Sequence, residues 1–127
     1  MLLRTTLIFL FMTFAVNAEV KLTENDILGL WKIDSESANS DGTHARKLNS
    51  TWEFLKDGVM EGITIDSDPN ARSPEMRASI KYSVEDGKII KQTMPGRSKM
   101  ETCTAVEKTD QKMTLECSNM YYFMSKK

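Results

Sequence analysis

Two cysteines, Cys103 and Cys117, are the residues whose type and spacing point most directly to chemistry. They flank a polar segment centred on Asp110, as two strands joined by a hairpin loop would. In an oxidising compartment such a pair usually forms a disulfide, and two unlinked buried thiols are the alternative. If Val106 pairs with Met113, however, the cysteines point to opposite faces, and only a bulge or an odd-length loop brings them together. The predicted disulfide is therefore also a prediction about strand register.

Residues that could perform catalysis or bind a metal are few. His44 is the single histidine and lies among turn-forming residues, where a solvated side chain is expected. Segment 66–70 resembles part of a calcium loop but lacks its central glycine and terminal glutamate. Glu53, Glu61 and Asp66 could supply paired carboxylates, yet nothing in the sequence sets their geometry. We therefore expect a protein that is not an enzyme and has no cofactor and no metal.

Methionine is frequent, with nine residues in the chain. Thioethers can bind Cu(I), but the sequence has no Met-x-x-Met or Met-x-His cluster. Methionine more often fills irregular apolar space. The pattern predicts a methionine-rich core or the lining of an adaptable apolar pocket.

The first 18 residues have the three parts of a secretory signal peptide. Arg4 precedes an apolar run from Leu7, and small residues end the segment at Val16-Asn17-Ala18. The run has roughly 12 residues, whereas a bilayer span needs about 20. We expect cleavage after Ala18, an exported periplasmic or secreted product with no membrane span, and one domain over residues 19–127.

The charge balance is close to neutral. The chain has 17 basic and 18 acidic side chains, for a formal net charge of -1. Lysine and arginine form no cluster beyond Lys126-Lys127. Broad nucleic-acid binding, which normally requires a basic face, is not expected.

Alternation of apolar and polar residues predicts eight short strands and no long helix. The clearest strand runs from 76 to 84, where every second residue is apolar. The first opens at Gly29 after a short turn capped by Thr23, and Asp57-Gly58 marks a hairpin between the second and third strands. The faces predicted to be buried are Trp31 and Ile33 in the first strand, Leu48, Trp52 and Phe54 in the second, Val59, Ile63 and Ile65 in the third, and Met76, Ala78, Ile80, Tyr82 and Val84 in the fourth.

Short turns between these strands favour an all-β fold, an antiparallel up-and-down eight-stranded β-barrel, over a two-sheet sandwich. Two longer polar segments, 35–46 and 66–75, are predicted as surface loops. The interior of an eight-stranded barrel is either filled by side chains or holds one small ligand. Both alternatives remain open from the sequence.

Three stretches together resemble the bacterial lipocalin-like domains of the lipocalin/calycin superfamily. They are Leu28-Gly29-Leu30-Trp31-Lys32-Ile33, residues 52–58 and residues 82–89. The resemblance is to a short form without the helix that follows the barrel in lipocalins. It implies that Trp31 plugs the closed end of the barrel and that Gly29 allows close approach of the preceding turn, so that both are structural anchors.

The leading functional hypothesis is an exported barrel that binds an apolar or amphipathic small molecule without catalysis. The residues predicted to line its pocket are Trp52, Phe54, Met76, Ile80 and Tyr82. The alternative is an envelope or secreted interaction or inhibitor-type module that engages a protein partner through loops 35–46 and 66–75.

Overall fold

Eight antiparallel strands close into one barrel in which each strand pairs with its neighbours in sequence and β8 pairs with β1. The structure, a computed structural model, describes residues 20–66, 70, 72 and 74–127. The predicted signal peptide, residues 1–18, lies outside them. The elements are α1 (Glu24–Ile27), β1 (Gly29–Ser37), β2 (Arg46–Phe54), β3 (Val59–Ile65), β4 (Glu75–Glu85), β5 (Lys88–Gln92), β6 (Met100–Lys108), β7 (Lys112–Cys117) and β8 (Met120–Lys126). The barrel prediction is confirmed, and the sandwich alternative is wrong.

Helix α1 and Trp31 close one end of the barrel. The N–H of Thr23 donates to Asp26 Oδ2 at 2.8 Å, which completes the predicted cap. Trp31 is fully buried, and its Nε1 donates to the carbonyl oxygen of Ile27 at 2.8 Å. Lys126 Nζ lies 4.8 Å from the centroid of the Trp31 ring and donates to the carbonyl oxygen of Leu28 at 2.6 Å. The indole is thus held at its Nε1 edge by Ile27 and covered on its face by Lys126.

Gly29 occupies a position that only glycine suits. Its φ is +110°, a conformation that L side chains rarely adopt. A Cβ there would also lie 3.3 Å from Lys126 Nζ. The close approach at Gly29 is therefore to the lysine that covers Trp31.

The packed core fills the half of the barrel nearest α1. Its members are apolar, and all are nearly or completely buried. The core residues are Leu22, Ile27, Trp31, Ile33, Phe54, Met60, Ile80, Tyr82, Ile89, Cys103, Ala105, Met113, Leu115, Cys117 and Met124.

A bulge at Val106 brings the two cysteines into register. Cys103 lies directly opposite Cys117, and the pairing shifts between Ala105 and Glu107. Val106 is the extra residue, and its side chain is exposed. Both cysteines therefore face the barrel interior, where they form a disulfide as predicted.

Two details of the strand prediction are wrong. The first polar loop is shorter than 35–46, because β1 continues through a bulge to Ser37 and β2 begins at Arg46. The inward face of β3 is also the opposite of the predicted one. Phe54 pairs with Met60, which places Met60, Gly62 and Thr64 inside and leaves Val59, Ile63 and Ile65 outside.

Among the described residues, no helix has the length and apolar character needed to cross a bilayer.

Candidate functional site

A cavity of about 480 Å³ opens at the barrel end opposite Trp31. We call this cavity the cup. It lies where β3 and β5 end and where β4 and β6 begin. The residues that line it are Trp52, Met60, Gly62, Thr64, Met76, Arg77, Ala78, Ile80, Lys91, Thr93, Pro95, Glu101 and Tyr122.

Small residues on the cup wall leave space in front of Trp52. Trp52 pairs with Gly62, and Gly62 pairs with Ala78, so the three lie side by side across β2, β3 and β4. A Cβ on Gly62 would lie 3.8 Å from Cδ1 of Trp52, an ordinary contact distance. The indole therefore faces a wall that is nearly free of side chains.

Burial changes steeply along the inward face of β4. Ile80 is 7% exposed near the core, whereas Met76 at the open end is 65% exposed. The alternation in this strand had predicted that the whole face is buried, and for Met76 and Ala78 that prediction is wrong. These residues face inward, but the barrel is not filled at their level.

An ion pair lies at the base of the cup. Lys91 and Glu101 are directly opposite each other on β5 and β6, and Lys91 Nζ donates to Glu101 Oε1. Their side chains are 8% and 16% exposed. Lys91 Nζ also lies 5.2 Å from the centroid of the Trp52 ring, in a cation–π arrangement. The second oxygen of Glu101 accepts a hydrogen bond from Ser118 Oγ at 2.9 Å.

Tyr122 completes the base. Its ring centroid lies 5.2 Å from that of Trp52, with the two planes tilted by 50°. Burial, followed by the nearby carboxylates of Glu36 and Glu101, raises the pKa of Tyr122 above its usual value. The phenol therefore keeps its proton at neutral pH and can donate a hydrogen bond.

The residues predicted as pocket lining divide between two levels. Trp52, Met76 and Ile80 line the cup. Phe54 and Tyr82 lie beneath it in the packed core, with ring centroids 5.1 Å apart in an edge-to-face contact. The hydroxyl of Tyr82 donates to the carbonyl oxygen of Leu55 at 2.5 Å. These two residues support the base of the cup rather than border the open space.

Sequence reasoning missed Lys91, Glu101 and Tyr122. The signal for Lys91 was available, because Ile89 is a buried residue of the same short strand and side chains two apart share a face. Glu101 follows from Lys91 only through the register of β5 with β6, which the sequence does not specify.

The other candidate residues lie away from the cup. His44 is exposed in loop 38–45, with a φ of 56°. Glu53 and Glu61 are cross-strand neighbours, outside the set of cup-lining residues. Residues 67–69 of the calcium-like segment lie outside the described part of the chain.

Glu101, Cys103 and Cys117 form the one group of potential metal ligands that converges among the described residues. The disulfide occupies both sulfurs, so this group offers no thiolate to a metal.

Comparison with solved structures identifies proteins of similar fold. A lipocalin-like protein from Bacteroides uniformis matches 80% of this chain and 99% of its own length, with a TM-score of 0.62 and 17% identity. The fold is lipocalin-like. An uncharacterized protein from Bacteroides eggerthii matches with the same coverage and TM-score at 16% identity. No protein-family model and no curated protein sequence matches the chain.

Proposed function

We propose that this lipocalin-like protein is exported and binds an apolar or amphipathic small molecule in the cup, without covalent chemistry. The observation that carries the proposal is the difference between the two halves of the barrel. One half is closed by Trp31 and filled by the core, and the other contains an open cavity lined by aromatic, thioether and aliphatic groups.

The size and lining of the cup support this proposal. A volume of about 480 Å³ falls within the range of small-molecule sites, which is roughly 300–1,000 Å³. Such sites combine a mainly apolar wall with a few convergent polar groups. Here the wall includes Met60, Met76 and Ile80, and the polar groups are those of Lys91, Glu101 and Tyr122.

Native mass spectrometry after periplasmic expression tests the proposal. We expect the purified protein to carry a small molecule, or to take up an apolar dye at one site per chain. The chain has two tryptophans, of which Trp31 is buried at the far end, so occupancy of the cup is expected to change the emission of Trp52. The proposal would be refuted if the protein purifies without a small molecule, does not bind the dye and shows no change in Trp52 emission when the dye is added.

Interaction through the surface loops is the second candidate function. Loop 38–45 has a fixed shape, because Asp41 Oδ1 accepts hydrogen bonds from both the N–H and the hydroxyl of Thr43. Ser37 Oγ donates to the Thr43 carbonyl oxygen at 2.6 Å. An exposed loop with a fixed shape suits recognition of a protein surface. A pull-down from envelope extract, repeated after shortening loop 38–45 or 66–75, would detect such a partner.

A further inference from the structure

We infer that the ligand of the cup is a single-chain amphiphile with an uncharged head that bears hydroxyl or carbonyl groups, and that it binds with its head at the base and its chain toward the opening. This inference rests on the proposed binding function. The observations behind it are the pairing of the charges around the cup and the contrast between the buried Lys91 at its base and the exposed Met76 at its opening.

The charges around the cup compensate one another. Lys91 pairs with Glu101 at the base, and Arg77 pairs with Glu75 on the wall, with 3.2 Å between Arg77 Nη2 and Glu75 Oε1. Arg46 pairs with Glu36, whose carboxylate lies near Tyr122. Every charged residue that lines the cup therefore already has a partner of opposite sign.

This compensation disfavours a charged head. A carboxylate placed beside Lys91 would lie next to the carboxylate of Glu101, and like charges in a poorly solvated site repel each other. A quaternary ammonium placed against the Trp52 ring would lie near the ammonium of Lys91, and these like charges would also repel each other. An uncharged head meets neither obstacle.

The base can both donate and accept hydrogen bonds. The ammonium of Lys91 has three N–H donors, one of which is directed to Glu101. The phenol of Tyr122 can donate, and the carboxylate oxygens of Glu101 can accept further bonds. A glyceryl or similar hydroxyl and carbonyl head matches this mixture of groups.

Apolar side chains contribute to the opening of the cup. Met76 lines the cup at its open end and is 65% exposed. Pro95, which follows the end of β5, also lines the cup. Lys91, by contrast, is 6% exposed at the base. A bound amphiphile therefore matches both regions with its head inside and its alkyl chain against Met76.

Binding of three ligands with the same chain tests the head-group preference. We expect monododecanoylglycerol, added below its aggregation threshold, to bind at least about tenfold more tightly than dodecanoate or dodecyltrimethylammonium, a difference of about 1.4 kcal/mol. Equal affinities, or tighter binding of either charged amphiphile, would overturn the head-group inference while leaving the proposed function intact. If none of the three ligands binds and an apolar dye is also not taken up, the proposed function fails as well.

Two variants connect the preference to the base of the cup. Tyr122→Phe is expected to keep the fold and to reduce the advantage of monododecanoylglycerol over dodecanoate several-fold. The double variant Lys91→Met with Glu101→Gln removes the ion pair without leaving one charge alone, and it is expected to abolish most of that advantage. An unchanged ratio of affinities in both variants would overturn the assignment of the head to the base.

Bromine quenching of tryptophan emission tests the orientation. If the head lies at the base of the cup, a monododecanoylglycerol brominated next to its carbonyl quenches Trp52 emission more strongly than one brominated at the end of its chain. A Trp52→Phe variant measures the contribution of Trp31. Stronger quenching from the chain end would reverse the proposed orientation.

Discussion

The ammonium nitrogen of Lys91 lies 5.2 Å from the centroid of the Trp52 ring and forms an ion pair with Glu101 inside the barrel. A buried ion pair is not required for stability, because well-packed apolar residues often serve as well or better. The pair lies at the base of an open cavity, where its spare hydrogen-bonding capacity faces the space that a ligand would occupy. We therefore interpret it as part of the proposed binding site.

Lys91→Met is predicted to destabilise the protein by about 1–3 kcal/mol, because it leaves the Glu101 carboxylate partly buried without its cation. The hydrogen bond from Ser118 to Glu101 remains and limits the loss. Urea denaturation measures the change. Adding Glu101→Gln to Lys91→Met is expected to recover most of the lost stability. If Lys91→Met alone is as stable as the parent, the ion pair is already well solvated and the prediction is contradicted.

Reduction of the disulfide between Cys103 and Cys117 is predicted to lower the free energy of unfolding by about 3 kcal/mol in the chain-entropy model, since the bridge closes a loop of about 15 residues. Urea denaturation of a Cys103→Ala, Cys117→Ala variant, with and without reductant, measures the effect. The variant should show no response to reductant. A parent protein that is equally stable in reductant would contradict the prediction.

Trp31→Phe is predicted to cost about 1–3 kcal/mol, because it removes the hydrogen bond to Ile27 and leaves a gap below Lys126. Binding in the cup should be retained, since the packed core separates the two ends. Thermal denaturation and dye binding measured on the same sample test both parts. Loss of binding in a folded Trp31→Phe variant would show that the two ends are coupled.

Stability is predicted to fall at alkaline pH partly because of Tyr122. Its pKa is raised in the folded protein, first by burial and then by Glu36 and Glu101, so the folded state holds this proton more tightly than the unfolded chain does. The contribution of Tyr122 to stability is complete below its unfolded pKa of about 10, and it is lost as the pH rises through its folded pKa. Tyr122→Phe should therefore show a shallower fall in urea midpoint above about pH 10. Identical alkaline profiles for the two proteins would contradict this assignment.

The sequence predicted the barrel because its strongest local signals agree with one another. The alternation in 76–84, the Asp57-Gly58 turn and the Gly29 and Trp31 pair all fit a meander of short strands. The disulfide was predictable as a pair of residues, whereas its register depended on a bulge at Val106 that no local pattern marks.

The cup was less predictable, because its residues break the rule that inward faces are apolar. On β3 the inward residues are Met60, Gly62 and Thr64, and the more apolar set, Val59, Ile63 and Ile65, faces outward. A strand that borders an open cavity needs small or polar inward residues, so hydrophobic alternation selects the wrong face there. Lys91 and Glu101 likewise meet only through pairing between strands.

The central claim is that the cup binds a small molecule. It is tested most directly by titrating the parent protein and two matched variants with an apolar dye while following Trp52 emission. Ala78→Phe places a ring in the cup, and Ser79→Phe places the same ring at the adjacent position on the opposite face of β4. We predict saturable binding at one site per chain in the parent and in Ser79→Phe, and at least about a tenfold loss of affinity, or about 1.4 kcal/mol, in Ala78→Phe. Equal binding by all three folded proteins, or binding by none, would contradict the account.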